Sequence, residues 1–105
     1  MKNKNQYSIE DLLEIMSELR NNCPWDQKQT LDSLKKLTIE ETYELVDAID
    51  KKNYEDIKDE LGDLLLHIIF YTKIASEKKK FNFNDVLNSL IKKIIHRHPH
   101  IYGDI

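Results

Sequence analysis

Residues 38–49, TIEETYELVDAI, and residues 57–69, IKDELGDLLLHII, decide the fold of this chain. In both stretches the apolar residues recur three or four positions apart, which is the spacing of an amphipathic α-helix. A short break around residues 51–53 lets the two helices fold back on each other, so they are predicted to pack antiparallel. The rest of the chain is expected to pack around this helical hairpin.

Two pairs of acidic residues lie within the hairpin, Glu41 with Glu44 and Glu60 with Asp63. Residues three apart share a helical face, so each pair projects from one side of its helix, and antiparallel packing brings the pairs together. Facing carboxylates repel one another strongly away from water, and they persist mainly where a cation neutralises them. Oxygen ligands suit Mg²⁺, with Mn²⁺ as a substitute, whereas the plainer interpretation is a set of solvated surface acids.

The composition favours a single all-α domain that spans residues 1–105. Two glycines and two prolines in 105 residues leave few turns, and the long segments between them are rich in helix-forming residues. A chain of this length builds only a modest core, so pairing with a second copy is expected to add stability.

The net charge and the cysteine content indicate which binding partners and which cellular compartment to expect. A net charge of −3 gives no electrostatic basis for binding a nucleic-acid backbone, so small molecules are the expected partners. Cys23 is the single cysteine and cannot form an internal disulfide, which fits a reducing compartment. No stretch has the length of a membrane span, and the start MKNKNQ lacks the apolar segment of a signal peptide. We therefore expect a cytoplasmic protein with no membrane partner.

Periodicity and capping signals predict the order of the helices. A short helix is expected from Thr30 or Asp32 to Leu37, and Thr38 with Glu41 is predicted to form the capping box of the next one. The longer helices are predicted at about residues 9–21, 39–51, 54–79 and 83–96. The helix at 54–79 is expected to pack through an apolar seam of Leu61, Leu64, Leu65, Ile68, Thr72 and Ala75, and the last helix is expected to place in the core Val86, Leu87, Leu90, Ile91, Ile94 and Ile95. Residues 1–7 are expected to be flexible, and residues 97–105 form a tail. If Glu41 only caps a helix, its role is structural.

Trp25 and Gly62 each occupy an unusual position in the sequence. Trp25 lies in the irregular connection CPWDQKQT at residues 23–30, where Pro24 interrupts any helix. Its ring is expected either to plug one end of the bundle or to offer a surface on which a nucleobase stacks. Gly62 lies in mid-helix beside the acids, where it is expected to allow close approach of another helix or of a substrate.

Basic and histidine residues near the acids and at the chain end have alternative roles. Lys93 and Arg97, one turn apart on the last helix, either complement its dipole or clamp phosphates. His67 follows Asp63 by one turn, and we expect a packed imidazole, because Mg²⁺ prefers oxygen ligands. The three histidines at the chain end are divided by Pro99 and lack a cysteine, so they do not predict a transition-metal site.

Four segments of the chain carry a family resemblance, namely CPWDQKQT at 23–30, IEETYELVDAI at 39–49, DELGDLLLHIIF at 59–70 and RHPHIYGD at 97–104. In this order they resemble the MazG-type nucleoside triphosphate pyrophosphohydrolases over nearly the whole chain. The resemblance implies an all-α MazG fold with a four-helix core, assembled as a homodimer or a dimer of dimers. It also implies Mg²⁺-dependent hydrolysis of a nucleoside triphosphate to the monophosphate and pyrophosphate.

The resemblance implies roles for the acidic residues. Glu41, Glu44, Glu60 and Asp63 match the metal ligands of the family. Glu40 matches the first acid of the motif, and Glu40 or Glu44 would be the catalytic acid that orients the attacking water.

The resemblance also implies residues that bind the substrate. Trp25 is similar in position to a residue that faces the base, and Lys93 with Arg97 fits a Lys-x-x-x-Arg sequence that meets phosphates. Many relatives contain two such domains in tandem, whereas this chain contains one.

Other functions stay open at this point. The same fold could act on dUTP, dCTP or a phosphoribosyl nucleotide. A di-iron carboxylate bundle would need a Glu-x-x-His motif on each of two helices, and none of the four histidines follows a glutamate at that spacing. In a catalytically silent module for dimerisation or nucleotide binding, the acids would form salt bridges with the many lysines.

Overall fold

The computed structural model describes residues 5–103, and every regular element among them is helical. The helices are α1 (Ile9–Asn22), α2 (Pro24–Gln27), α3 (Leu31–Asp50), α4 (Tyr54–Glu77), α5 (Phe83–Arg97) and α6 (Pro99–Tyr102). The all-α prediction is therefore confirmed. Within residues 5–103, no helix combines the length and the apolar character that crossing a bilayer requires.

The predicted ends of the chain fall partly outside the described residues. Residues 1–4 of the predicted flexible start and residues 104–105 of the predicted tail lie outside them, while residues 5–8 precede α1 without helical structure. The tail was predicted without structure of its own, yet it contains α6, which begins at Pro99. Proline is well suited to the first turn of a helix because the missing N–H has no partner there.

Polar caps set most of the helix limits. Ser8 and Asp11 form the capping box that begins α1, and Asn82 and Asp85 form the one that begins α5. Asn53 caps α4 after a tight turn, in which Lys52 has the left-handed φ of 54°. This turn reverses the chain direction, so α3 and α4 pack antiparallel along their length, as predicted.

α3 is one continuous helix, whereas we predicted a break at Thr38. Its capping box is formed by Thr30 and Ser33 instead. The predicted capping box at Thr38 is wrong, because the Thr38 hydroxyl donates to the carbonyl oxygen of Leu34, 3.1 Å away on the preceding turn. A threonine that bonds back in this way is compatible with a helix interior. Glu41 therefore has no capping role.

The core lies where α1 and α3 meet the carboxyl-terminal half of α4. Its fully buried members are Met16, Leu34, Ile69, Phe70 and Ile74. Ile9, Leu12 and Leu13 of α1 pack against them, which agrees with the predicted apolar face of that helix. The core thus fixes α3 and α4 against each other on one side of the acidic residues.

Arg20 organises the connection between α1 and α3. One of its terminal nitrogens donates to the carbonyl oxygens of Asp26, Gln27 and Gln29, at 2.7, 3.3 and 3.1 Å. The same guanidinium forms an ion pair with Glu77 at the end of α4. The fork geometry of arginine makes this combination possible. The loop that carries Trp25 is consequently tied to the carboxyl end of α4.

For two single residues, one of the two predicted alternatives fails within the described chain, while a stacking surface at Trp25 and the approach of a substrate to Gly62 stay predictions. Trp25 is 58% exposed, so it does not plug one end of the bundle. A Cβ placed on Gly62 would meet no atom within 4 Å, so no helix of the same chain approaches this glycine closely.

The apolar face of α5 is uncovered, although we predicted it as core. Its members are 36–51% exposed, and they are Val86, Leu87, Leu90, Ile91 and Ile94. α5 packs on α4 only near its beginning, and no residue of α5 is buried. On the predicted seam of α4, Thr72 and Ala75 are buried, while Leu61, Leu65 and Ile68 are exposed.

Candidate functional site

The helical repeat places Glu41 in the middle of the face that α3 turns toward α4. Leu34 and Ala48 lie seven residues before and after it, almost two full turns each way, and both are buried. On α4, Glu60 and His67 are likewise seven residues apart on the face toward α3, and His67 is buried. Apolar packing on either side therefore holds acidic side chains at an internal interface.

Three carboxylates meet at this interface. Glu41, Glu60 and Asp63 each contribute one oxygen atom, and these atoms lie within 4.8 Å of one another. Glu41 Oε2 and Glu60 Oε1 are shielded from solvent and have no hydrogen-bond partner in the described part of the chain. Shielded, unpartnered carboxylate oxygens are costly, and a cation offsets that cost. The donors are all oxygen, which fits a hard divalent ion such as Mg²⁺ or Mn²⁺.

Glu44 lies at the edge of this cluster. It borders a cavity of 350 Å³ together with Glu60, and its negative charge raises the pKa of both Glu41 and Glu60. Glu40 is exposed on α3 and does not belong to the group of three converging oxygens. The geometry thus brings Glu41, Glu60 and Asp63 together, with Glu44 beside them and Glu40 farther out.

The pKa values of Glu41 and Glu60 are both raised at this interface, where like charges lie close together. Removal from water raises the pKa of Glu41 above its usual range, and the negative charges of Glu44 and Asp63 raise it further. The neighbouring Glu41 carboxylate, to which a protonated Glu60 can donate, raises the pKa of Glu60 to about 7, with further contributions from shielding and from Glu44. Near neutral pH the cluster therefore holds a proton that a divalent cation must displace.

Basic side chains do not neutralise the cluster. The ion pairs in the described part of the chain involve Asp32, Asp47, Glu55 and Glu77, and none includes any of the four predicted ligands. The lysine-paired arrangement expected of a silent module is absent at these positions. Negative charge accumulates here without a protein partner.

The part of the chain that contains this cluster matches a known protein family. Residues 29–102 match the MazG nucleotide pyrophosphohydrolase domain. The chain belongs to the MazG family.

A MazG from Thermotoga maritima, named a nucleoside triphosphate pyrophosphohydrolase/pyrophosphatase, is 50% identical over 98 residues, which are 91% of this chain and 38% of that protein. The nucleoside triphosphate pyrophosphohydrolase of Escherichia coli K12 is 44% identical over 99 residues, again 91% of this chain and 38% of that protein. This MazG domain thus spans less than half the length of these relatives.

The fold has a solved counterpart. The crystal structure of a mazG-related protein from Thermotoga maritima superimposes with a TM-score of 0.78 at 25% identity, covering 91% of this chain and 84% of that one. The all-α arrangement described above is therefore the arrangement of a MazG fold.

The predicted substrate-binding residues lie away from the acids of the same chain. Trp25 is tied to the Glu77 end of α4, and Glu77 is 14 residues beyond Asp63, which is about 21 Å along a helix. Lys93 lines a different cavity, formed on the face of α5, and Arg97 ends that helix. None of these three residues lines the cavity beside Glu44 and Glu60.

A hydrogen-bonded group beside the acids was not predicted from the sequence. Thr38 Oγ1 lies 2.8 Å from Nδ1 of the buried His67, and it also bonds the hydroxyl of Tyr71. His67 is packed, as expected. The available signal was the spacing, since Thr38 lies three residues before Glu41 on the face toward α4.

We predict that Mn²⁺ stabilises this domain more at pH 8 than at pH 6, measured as the rise in melting temperature on adding the ion. Below a pKa of about 7, Glu60 holds a proton that competes with the cation for the same oxygens. Without metal, the folded state binds this proton more tightly than the unfolded state, so stability falls as the pH rises through about 7.

Glu60→Gln is the control for this pH dependence, because the amide has no proton to lose in this range. Its melting temperature should change less between pH 6 and pH 8 in the absence of metal. An equal Mn²⁺-induced rise at both pH values in the unmodified protein would contradict the assignment of the competing proton to the cluster.

Proposed function

We propose that this MazG domain hydrolyses nucleoside triphosphates between the α and β phosphates, releasing the nucleoside monophosphate and pyrophosphate. The single observation that carries the proposal is the convergence of Glu41, Glu60 and Asp63, with two shielded carboxylate oxygens that lack a partner. Relatives at 44–50% identity are named for this activity. The domain is then an Mg²⁺-dependent hydrolase, and Mn²⁺ substitutes for Mg²⁺.

Each acidic residue has a role in this proposal. Glu41, Glu60 and Asp63 bind the metal, and Glu44, which borders the adjoining cavity, completes the ligand set or accepts a proton from the attacking water. Glu40 is the other candidate for orienting that water. When bound, the metal neutralises charge on the phosphate oxygens and makes a coordinated water more acidic.

A cavity next to these acids provides a place for the attacking water. The cavity of 350 Å³ beside Glu44 and Glu60 also contains Tyr43 and Asp47, and it offers room for a water and a phosphate group. Attack by this water on the α-phosphorus expels pyrophosphate as the leaving group.

The main competing function is a catalytically silent dimerisation or nucleotide-binding module. In that case the acids would be neutralised by lysines, but the lysines in the described part of the chain pair with Asp32, Asp47 and Glu55 instead. The unneutralised cluster favours the enzyme, because a silent module gains nothing from facing acids without a partner.

We predict that Glu41→Gln and Asp63→Asn each lower the rate of Mg²⁺-dependent pyrophosphate release by at least about 100-fold, because a bound metal supplies several kcal/mol of transition-state stabilisation. The measurement is a pyrophosphate-release assay on a panel of ribo- and deoxyribonucleoside triphosphates, with and without Mg²⁺.

Two exposed acids provide matched controls. Glu55→Gln and Asp32→Asn remove carboxylates that pair with Lys58 and Lys35 on their own helices, so both variants should retain activity. If the folded Glu41→Gln and Asp63→Asn variants keep the same rate as these controls, the proposed site is wrong.

We further propose that the functional unit is a homodimer, or a dimer of such dimers. The radius of gyration is 16.3 Å, whereas a compact domain of this length has about 13 Å, so a single chain leaves much of its helical surface uncovered. The apolar face of α5 is exposed, and so are Ile39, Tyr43, Val46 and Ile49 on the outer face of α3. A second copy of the chain would bury these exposed apolar faces.

The second copy also supplies the substrate-binding residues that one chain keeps apart. The loop of Trp25 is tied to Glu77, which lies about 21 Å along α4 from Asp63, farther than a base reaches from its α-phosphate at the acids. Lys93 and Arg97 flank the exposed apolar face of α5, so a partner that docks on this face brings its acids toward them. The nucleotide is then shared between Glu41 of one chain and the basic residues of the other.

We predict that Ile91→Asp, which places a charge in the centre of the apolar face of α5, lowers the mass in solution to that of the monomer of 12.5 kDa. Light scattering coupled to size exclusion measures this change. Lys92→Glu, on the opposite polar face of the same helix, is the control and should leave the oligomer intact. An unmodified protein that is monomeric at the concentration of the assay would refute the dimer.

A further inference from the structure

A small hydrogen-bonded network joins α3 to α4 one helical turn away from the acids. Thr38 precedes Glu41 by one turn on α3, and His67 follows Asp63 by one turn on α4. Thr38 Oγ1 lies 2.8 Å from Nδ1 of His67, and it also bonds the hydroxyl of Tyr71. In the described part of the chain, the side-chain hydrogen bonds between α3 and α4 all involve Thr38.

Hydrogen counting assigns the direction of each bond in this network. A threonine hydroxyl has one hydrogen and can accept two further hydrogen bonds. The carbonyl oxygen of Leu34, 3.1 Å away, can only accept, so it takes the hydroxyl hydrogen of Thr38. All three contacts are satisfied at once only when Nδ1 of His67 and the hydroxyl of Tyr71 both donate to Thr38. The neutral ring of His67 is then the tautomer that carries its hydrogen on Nδ1.

Burial makes this network a rigid connection. His67 is 9% exposed, so its Nδ1 has little access to water. Water therefore does not readily take the place of Thr38 as its hydrogen-bond partner. The bonds are directional, and they fix both the rotation of α3 and its position along α4. Apolar packing around Leu34 alone tolerates small shifts that such bonds do not.

We propose that Thr38, His67 and Tyr71 are positioning residues that hold Glu41 opposite Glu60 and Asp63, and thereby set the affinity of the site for a divalent cation. This inference rests on the proposed function, because it assigns a role to residues next to the same carboxylate cluster. The facing carboxylates repel one another and push α3 away from α4 at this level. The network holds the two helices together one turn away from the acids, and it thereby opposes this repulsion.

The residues in this network do not touch the substrate in the proposal. They act through the two helices that carry the acids, because their hydrogen bonds fix the position of α3 relative to α4. Their effect should therefore appear in metal affinity, which a residue that only adds stability to the fold does not change once the protein is folded.

The test compares Thr38→Val, which keeps the shape and removes the hydroxyl, with Thr38→Ser, which keeps the hydroxyl. The measured quantity is the Mn²⁺ dissociation constant, from the electron paramagnetic resonance signal of free Mn²⁺ in solutions of the folded protein. Thr38→Val should weaken Mn²⁺ binding by about 10-fold or more, whereas Thr38→Ser should stay within about 2-fold of the unmodified protein.

Thr42→Val is the matched control on the same helix. The Thr42 hydroxyl donates to the carbonyl oxygen of Thr38, 2.8 Å away, and makes no bond to α4, so this variant should keep the original Mn²⁺ affinity. A second pair tests the histidine, because His67→Gln retains a donor toward Thr38 and His67→Leu does not. Gln should preserve the affinity better than Leu.

The outcomes separate this inference from the proposed function. If the unmodified protein binds Mn²⁺ and folded Thr38→Val binds it equally well, the positioning role is wrong and the proposed enzyme is unaffected. If the unmodified protein does not bind Mn²⁺, the metal site itself is wrong and both proposals fail. Should Thr38→Val not fold, Tyr71→Phe, which removes one donor and no carbon atom, decides the question by the same measurement.

Discussion

Electrostatic repulsion between acids that face each other across two antiparallel helices is the constraint on which this structure depends. Glu41 and Glu60 each have one oxygen that is shielded from solvent and unpartnered in the described part of the chain, and both pKa values are raised. Apolar packing of Leu34 and Ala48 on either side of Glu41 prevents the helices from separating. Such unfavourable contacts are offset when a cation binds, and we propose that a divalent cation does so here.

The remaining elements of the chain restrain the hairpin that carries the acids. α1 packs on the carboxyl-terminal half of α4, and Arg20 ties the following loop to Glu77 at the end of α4. The Thr38 network joins α3 to α4 between this core and the acids. α5 contributes little to the packing of a single chain, and its exposed apolar face is the surface on which we propose that a second copy packs. The hairpin is thus supported on one side and open on the other. We propose that a substrate and a second copy of the chain complete the site on the open side.

Local sequence was sufficient to predict the long helices and the hairpin, because capping residues and apolar spacing act over one or two turns. It did not predict α2, which begins at Pro24 in the connection that we expected to be irregular, because proline is tolerated in the first turn of a helix. The acidic pairs were predictable for the same reason, since residues three apart share a face. The break expected at Thr38 was wrong, because a capping signal in sequence cannot show that the hydroxyl is instead used at a helix interface. The face of α5 was predicted as core and is exposed in one chain, since the spacing of apolar residues shows which face is buried but not which molecule covers it. Of the two alternatives for Trp25, the buried plug was wrong.

The central claim is that a divalent cation binds among Glu41, Glu60 and Asp63, and anomalous diffraction tests it most directly. Crystals grown with Mn²⁺ and a non-hydrolysable nucleoside triphosphate analogue would give an anomalous difference map of the ion positions. The account predicts a strong peak within coordination distance of these three carboxylates. A bound nucleotide with no Mn²⁺ peak at this cluster, or with its phosphates held elsewhere, would contradict it.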